Sequence, residues 1–194
     1  MRRLYLFLLV MAGLNVSCSE YTPKPWGYFR IELEQPEYRT YSNPEGHFSF
    51  HIQNSAEIEP VVDTAAGKWF NIVYPTLNAT IYCSFFNILS QADLSERSEE
   101  SRKFVYKHVI KADNIYEEAL SDSSKKVYAL IYNLDGEVAS PLQFVITDSI
   151  RYFLRGSLYF YSRPNQDSIA PVKKYIRDDI EEMITSFRYG SDKQ

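Results

Sequence analysis

Residues 140–161 read SPLQFVITDSIRYFLRGSLYFY. Leu142, Phe144 and Ile146 alternate with Gln143, Val145 and Thr147. Beyond Asp148 and Ser149, Tyr152, Leu154, Leu158 and Phe160 alternate with Arg151, Arg155, Ser157 and Tyr159. A period of two marks strands with one well-buried face. Asp and Ser side chains bond nearby backbone and favour turns. The stretch predicts a hairpin at the middle of a sheet on which the rest of the chain packs.

Upstream, HFSFHI (47–52) alternates in the same way, with Phe48, Phe50 and Ile52 on one face and His47, Ser49 and His51 turned to solvent. On a strand, two histidines four residues apart stand about 13 Å from each other, too far to share a metal ion. Lys68–Tyr74 and Ala79–Ile88 predict a second strand pair, turning at Pro75–Asn78. Asp93-Leu94-Ser95-Glu96 has the form of a capping box with Asp93 as N-cap. It predicts a helix over about 94–112, with Phe104, Val105, a packed His108 and Ala112 on one stripe. Asn114–Leu120 reads as a short strand and Lys125–Leu134 as a stronger one, and Asp135-Gly136 as the turn into the central pair.

Pro164–Pro171 reads as a connector, and a last helix is expected over about 170–187, with Pro171 in its first turn. Val172, Ile176, Ile180, Met183, Ile184 and Phe187 share one face, and Lys173, Lys174, Arg177, Asp178, Glu181 and Glu182 the other. Glu32–Glu45 is loop-like, and Ser186–Gln194 is a polar tail. Hairpins without βαβ alternation predict an α+β domain, a mainly antiparallel sheet with helices packed on it. Strand pairs, a middle helix, a hairpin and a closing helix ending in Ser186-Phe187-Arg188 are similar to the PsbP/Mog1-like sandwich. That likeness of architecture transfers no function.

The chain of 194 residues suits one domain, placed at 46–190 with 191–194 as a tail. Sixteen Tyr and 12 Phe fit a β-rich protein, and a net charge of −4 offers no nucleic-acid surface. Residues 1–17 read as a secretory signal: Arg2 and Arg3, then an apolar run of 11 residues from Leu4 to Leu14, too short to span a bilayer. Ser17-Cys18 resembles the lipobox of bacterial lipoproteins, in which the cysteine is acylated and becomes the first residue. The other reading of this segment is an ordinary signal peptide with Cys18 incidental. Cleavage before Cys18 removes 17 of 194 residues, leaving 177, and takes the net charge from −4 to −6 with the loss of two arginines. Cys83 is then the only other thiol, so no internal disulfide forms, and its strand context marks it as a small buried residue. Residues 18–45 form a lipidated tether and an N-terminal arm whose Trp26, Tyr28 and Phe29 either pack on the domain or bind a partner.

No G-x-S-x-G, H-E-x-x-H, C-x-x-C or phosphate-binding loop is present. The sequence implies no enzyme, no metal and no cofactor. Asp148 and Asp167 are turn acids for which capping is the plain explanation and a hydrolase the alternative. Arg151 and Arg155 share the hairpin face opposite the core residues with Ser157 and Tyr159. That face is either solvated or, with Trp26 and Tyr28, a candidate partner or ligand surface.

Tyr21-Thr22-Pro23-Lys24-Pro25-Trp26-Gly27-Tyr28-Phe29-Arg30-Ile31 after Cys18 resembles the start of the gliding-motility lipoprotein GldD family of Bacteroidetes. The resemblance continues through residues 69–75 and 78–82, Lys107-His108 and Lys111-Ala112. It is densest at 139–144 and 147–149 and runs on through 153–160 and 164–171. It implies a non-enzymatic, acylated envelope lipoprotein needed for gliding and tied to assembly of the type IX secretion machinery. Its partners are then the lipid bilayer, through Cys18, and other gliding or secretion components. A periplasm-facing place is implied, with the outer membrane favoured over the inner because Ser19 is not an Asp retention signal. A periplasmic small-ligand or glycan-binding lipoprotein is the alternative.

Overall fold

The computed structural model describes residues 33–61, 68–107, 110–161 and 166–190, the side chains of 166–168 apart. The central hairpin forms as its alternation requires. β8 (Leu142–Thr147) pairs with β9 (Tyr152–Phe160) in antiparallel register, Phe144 opposite Gly156 and Ile146 opposite Leu154. The turn between them is held by Asp148, whose Oδ1 accepts from the amides of Ile150 at 3.0 Å, Arg151 at 2.7 Å and Tyr152 at 2.9 Å.

Around this hairpin lie β3 (Glu57–Pro60), β4 (Lys68–Tyr74), β5 (Ala79–Asn87), β6 (Ala112–Asp122) and β7 (Val127–Gly136). The seven strands run in the order β3-β4-β5-β9-β8-β7-β6, every neighbouring pair antiparallel, with β9 at the centre. A second, three-stranded sheet joins β1 (Tyr38–Ser42) and β10 (Arg188–Tyr189) to the two edges of β2 (Phe48–Gln53). The helices are α1 (Gln91–Tyr106) and α2 (Gln166–Ser186).

One core lies between the large sheet on one side and α2 with the small sheet on the other. Val172, Ile176, Ile180, Met183 and Ile184 of α2 are buried in it, the face expected of this helix. Phe187, fully buried just past the helix, stacks on Phe48 at 5.6 Å and Phe50 at 6.0 Å. Each such ring stabilises the fold by about 2 kcal/mol through apolar burial.

The α+β class and the mainly antiparallel sheet are as expected, and several boundaries are not. β1 occupies a stretch read as loop, because its pairing is supplied by β2 and not by any apolar alternation of its own. β10 falls in the stretch read as a polar tail, for the same reason, and Tyr189 stacks on Tyr152 at 5.5 Å. α2 starts at Gln166, so the connector is partly helical and Pro171 sits inside the helix instead of in its first turn. α1 begins a turn earlier than Asp93 and ends at Tyr106, where the chain turns toward β6. β7 extends through Asp135-Gly136, and residues 137–141 make the connection to β8.

The large sheet is also covered on both faces at its centre, not on one. α1 crosses the second face, so Gln143 and Phe153 are buried along with Phe144 and Leu154. His47 and His51 are not free in solvent. His47 is 2.9 Å from Glu45 and packs 5.9 Å from the Phe85 ring, while His51 Nδ1 lies 2.7 Å from Glu182 of α2.

Candidate functional site

The site arises where α1 crosses the centre of the sheet. Ser90 is the N-cap of α1: its Oγ accepts from the Asp93 amide at 3.2 Å, and Asp93 Oδ2 accepts from the Leu89 amide at 3.0 Å. This is a reciprocal cap one turn before the one expected from Asp93 and Glu96. Near its start the helix is pinned by Leu94 against Phe86, Ile88 and Phe153. Near its end Val105 packs on Tyr132, Leu134 and Val138.

Small residues face one another along the C-terminal half of the crossing: Ser101 on α1, Ser84 on β5 and Ser157 on β9. Helix and sheet therefore do not close, and a cavity of about 530 Å³ remains. Its walls include Phe104, Tyr132, Tyr82 and Tyr159, with Gln143 in the floor and Lys107 among the lining residues. Tyr82 meets Tyr159 edge-on at 5.5 Å and shares a 2.8 Å hydroxyl hydrogen bond with Tyr161.

Arg155 is the charged group of the cavity floor. Its guanidinium carbon sits 4.6 Å from the Phe104 ring centroid and 5.7 Å from that of Phe86. Nη1 is buried, lies 3.5 Å from Glu100 Oε2 and makes no hydrogen bond. Burial lowers its pKa from the ordinary value, the Glu100 carboxylate opposes this, and Arg97 adds to it. An arginine remains a cation under such a shift. Ser101 Oγ is likewise buried without a hydrogen-bond partner.

Among the described residues the lining holds one guanidinium, one ammonium, hydroxyls, one amide and aromatic faces, and no Asp, Glu, His or Cys. A guanidinium, hydroxyls, an amide and aromatic faces around one cavity can bind a small polar ligand. Among the described residues no group of three His, Cys, Asp or Glu is placed to hold a metal.

The two arginines expected on one surface are separated in environment. Arg155 is half-buried beneath α1 and lines the cavity, so its side of the strand is not a solvated face. Arg151 is exposed at the turn, 3.5 Å from Asp148 Oδ2 and over the Tyr152 ring at 5.1 Å, and does not line the cavity. Cys18, Trp26, Tyr28 and His108 lie outside the described residues, as does the Asp167 side chain. Ser84, Ser101 and Gln143 were not singled out by the sequence. Gln143 carried the one available signal, an amide between the apolar residues of a central strand.

A second polar group is buried elsewhere, inside the main core. Asp179 on α2 is 5% exposed and accepts from the Tyr38 hydroxyl at 2.8 Å. Burial raises its carboxyl to about 6 against the pull of hydrogen bonds from Tyr38 and Tyr74.

Residues 18–189 match the family model described as gliding motility lipoprotein GldD. The chain belongs to that family. The match of this GldD-family chain begins at Cys18 and takes in β1 to β10. No curated protein matches it. Among solved structures it is similar to the solution structure of cyanobacterial PsbP (CyanoP) from Synechocystis sp. PCC 6803, at 16% identity over 82% of this chain and 96% of that one, with a TM-score of 0.49. Among the described residues no helix of this GldD-family chain is long and apolar enough to cross a membrane.

Proposed function

We propose that this lipoprotein is held on the envelope by acyl chains on Cys18 and serves, without catalysis, in assembling or stabilising the gliding and type IX secretion machinery. The observation that carries this reading is the family match, which starts at Cys18 and runs to residue 189. A lipidated cysteine gives membrane affinity at about 0.8 kcal/mol per buried methylene, and stable anchoring takes more than one chain. The domain then faces the periplasm, with the outer membrane favoured because Ser19 follows the cysteine. The described lining of the cavity, a guanidinium, an ammonium, hydroxyls, an amide and aromatic faces, supports a role in binding. The holding of Asp148 by three backbone amides accounts for that acid as a turn former.

The test is a clean deletion of the gene in the host. Spreading over surfaces should be abolished and secretion of type IX cargo lowered, with both restored by the wild-type gene and not by Cys18→Ala. Normal spreading in the deletion strain would sink the proposal.

A further inference from the structure

We infer that the cavity between α1 and the central strands binds a small hydroxylated carboxylate of the uronic-acid class. This goes beyond the assembly role and does not depend on it. The volume of about 530 Å³ lies within the roughly 300–1,000 Å³ of pockets that enclose small molecules. Among the described residues the charged groups that line the cavity are both cations, Arg155 and Lys107. Glu100, the nearest carboxylate to Arg155, is shared with Arg97 at 3.6 Å and leaves Arg155 Nη1 buried and without a hydrogen bond. A buried donor in that state is costly, and a carboxylate seated on the planar guanidinium removes the cost with charge-assisted hydrogen bonds.

The rest of the lining selects for hydroxyl groups. Ser101 Oγ is buried without a partner, and Gln143 presents an amide that is 6% exposed. An apolar acid would leave both unpaired, whereas the hydroxyls of a sugar ring pair with them. Phe104 and Tyr159 supply flat walls for the ring's apolar faces. The guanidinium fork of Arg155 matches a carboxylate in a bidentate pair, and a phosphate ester is the competing anion that the test separates from it.

The test is calorimetric titration of the full chain in detergent with glucuronate and galacturonate. Glucose, galactose, propionate and glucose 6-phosphate are the comparison probes. Both uronates, or one of them, should bind at least about tenfold more tightly than the parent sugar and than propionate. Arg155→Gln should erase that preference. Ser157→Leu, which fills the cavity with the arginine left in place, should abolish uronate binding with folding retained, and it carries the test if Arg155→Gln does not fold. The inference is overturned by absence of uronate binding at roughly 10 mM. It is equally overturned by binding of the parent sugar, propionate or the phosphate ester as tight as the uronate, or by uronate binding unchanged in Ser157→Leu.

Discussion

The Phe144 ring lies across Gly156 on the neighbouring central strand, leaving no room for a side chain at 156. The two residues face each other in register, and the ring, 1% exposed, takes the place a Cβ would fill. Space, not a left-handed backbone, demands glycine here. Both residues are also among those that line the cavity.

Gly156→Ala should therefore force the ring aside. Overpacking of this kind costs about 1–3 kcal/mol and should lower the unfolding temperature by roughly 3–10 °C. Adding Phe144→Leu should recover part of the loss. Thermal unfolding of the single and double variants measures it, and a single variant as stable as wild type would show that the ring is not held there.

Asp179 makes stability depend on pH. Its carboxyl stands at about 6 in the fold, raised mainly by burial, against about 3.9 in an unfolded chain. The folded state holds the proton more tightly, so this contribution is whole below about pH 4 and is lost as pH rises through about 6. Asp179→Asn keeps an acceptor for Tyr38 and has no charge to bury. It should be more stable than wild type at about pH 7.5 by about 1–2 kcal/mol, the full linkage value being reduced by solvent screening, and should lose that advantage near pH 4. Urea unfolding at both pH values decides it: a difference that does not change with pH contradicts the burial of the charge.

Ser90 fixes the start of the helix that roofs the cavity. Ser90→Ala should cost about 1 kcal/mol, and Ser90→Asp should restore most of it. Hydrogen exchange should report the loss first at the Asp93 amide. Unchanged exchange there would return the cap to Asp93 itself.

Cys83 should be inert. It is 2% exposed, burial pushes its thiol well up, and only the thiolate reacts. In Cys18→Ala, Cys83 is the only thiol left, and an aromatic disulfide reagent at about pH 8 should find it only after unfolding. Fast reaction of the native protein would contradict its place in the core.

The elements legible in the sequence are those whose information is local. The alternation in β8 and β9, the apolar stripe of α2 and the Pro75–Asn78 turn are each written in a few consecutive residues. β1 and β10 were not legible because they exist through pairing with β2. The start of α1 was misplaced because two overlapping capping patterns compete, Ser90 with Asp93 and Asp93 with Glu96, and packing of Leu94 accompanies the earlier one. Arg155 was marked, but its burial depends on Phe104 and Glu100 from a helix some 50 residues away in sequence. Asp179 meets Tyr38 across 141 residues, a contact that no sequence spacing announces.

Lipid-anchored assembly is tested most directly by a pull-down from envelope membranes of the host, with the mature chain as bait and Cys18→Ala as control. Recovery of other gliding or type IX secretion lipoproteins, lost or reduced with the control, is the predicted result. Recovery of none of these components by the acylated bait would contradict it.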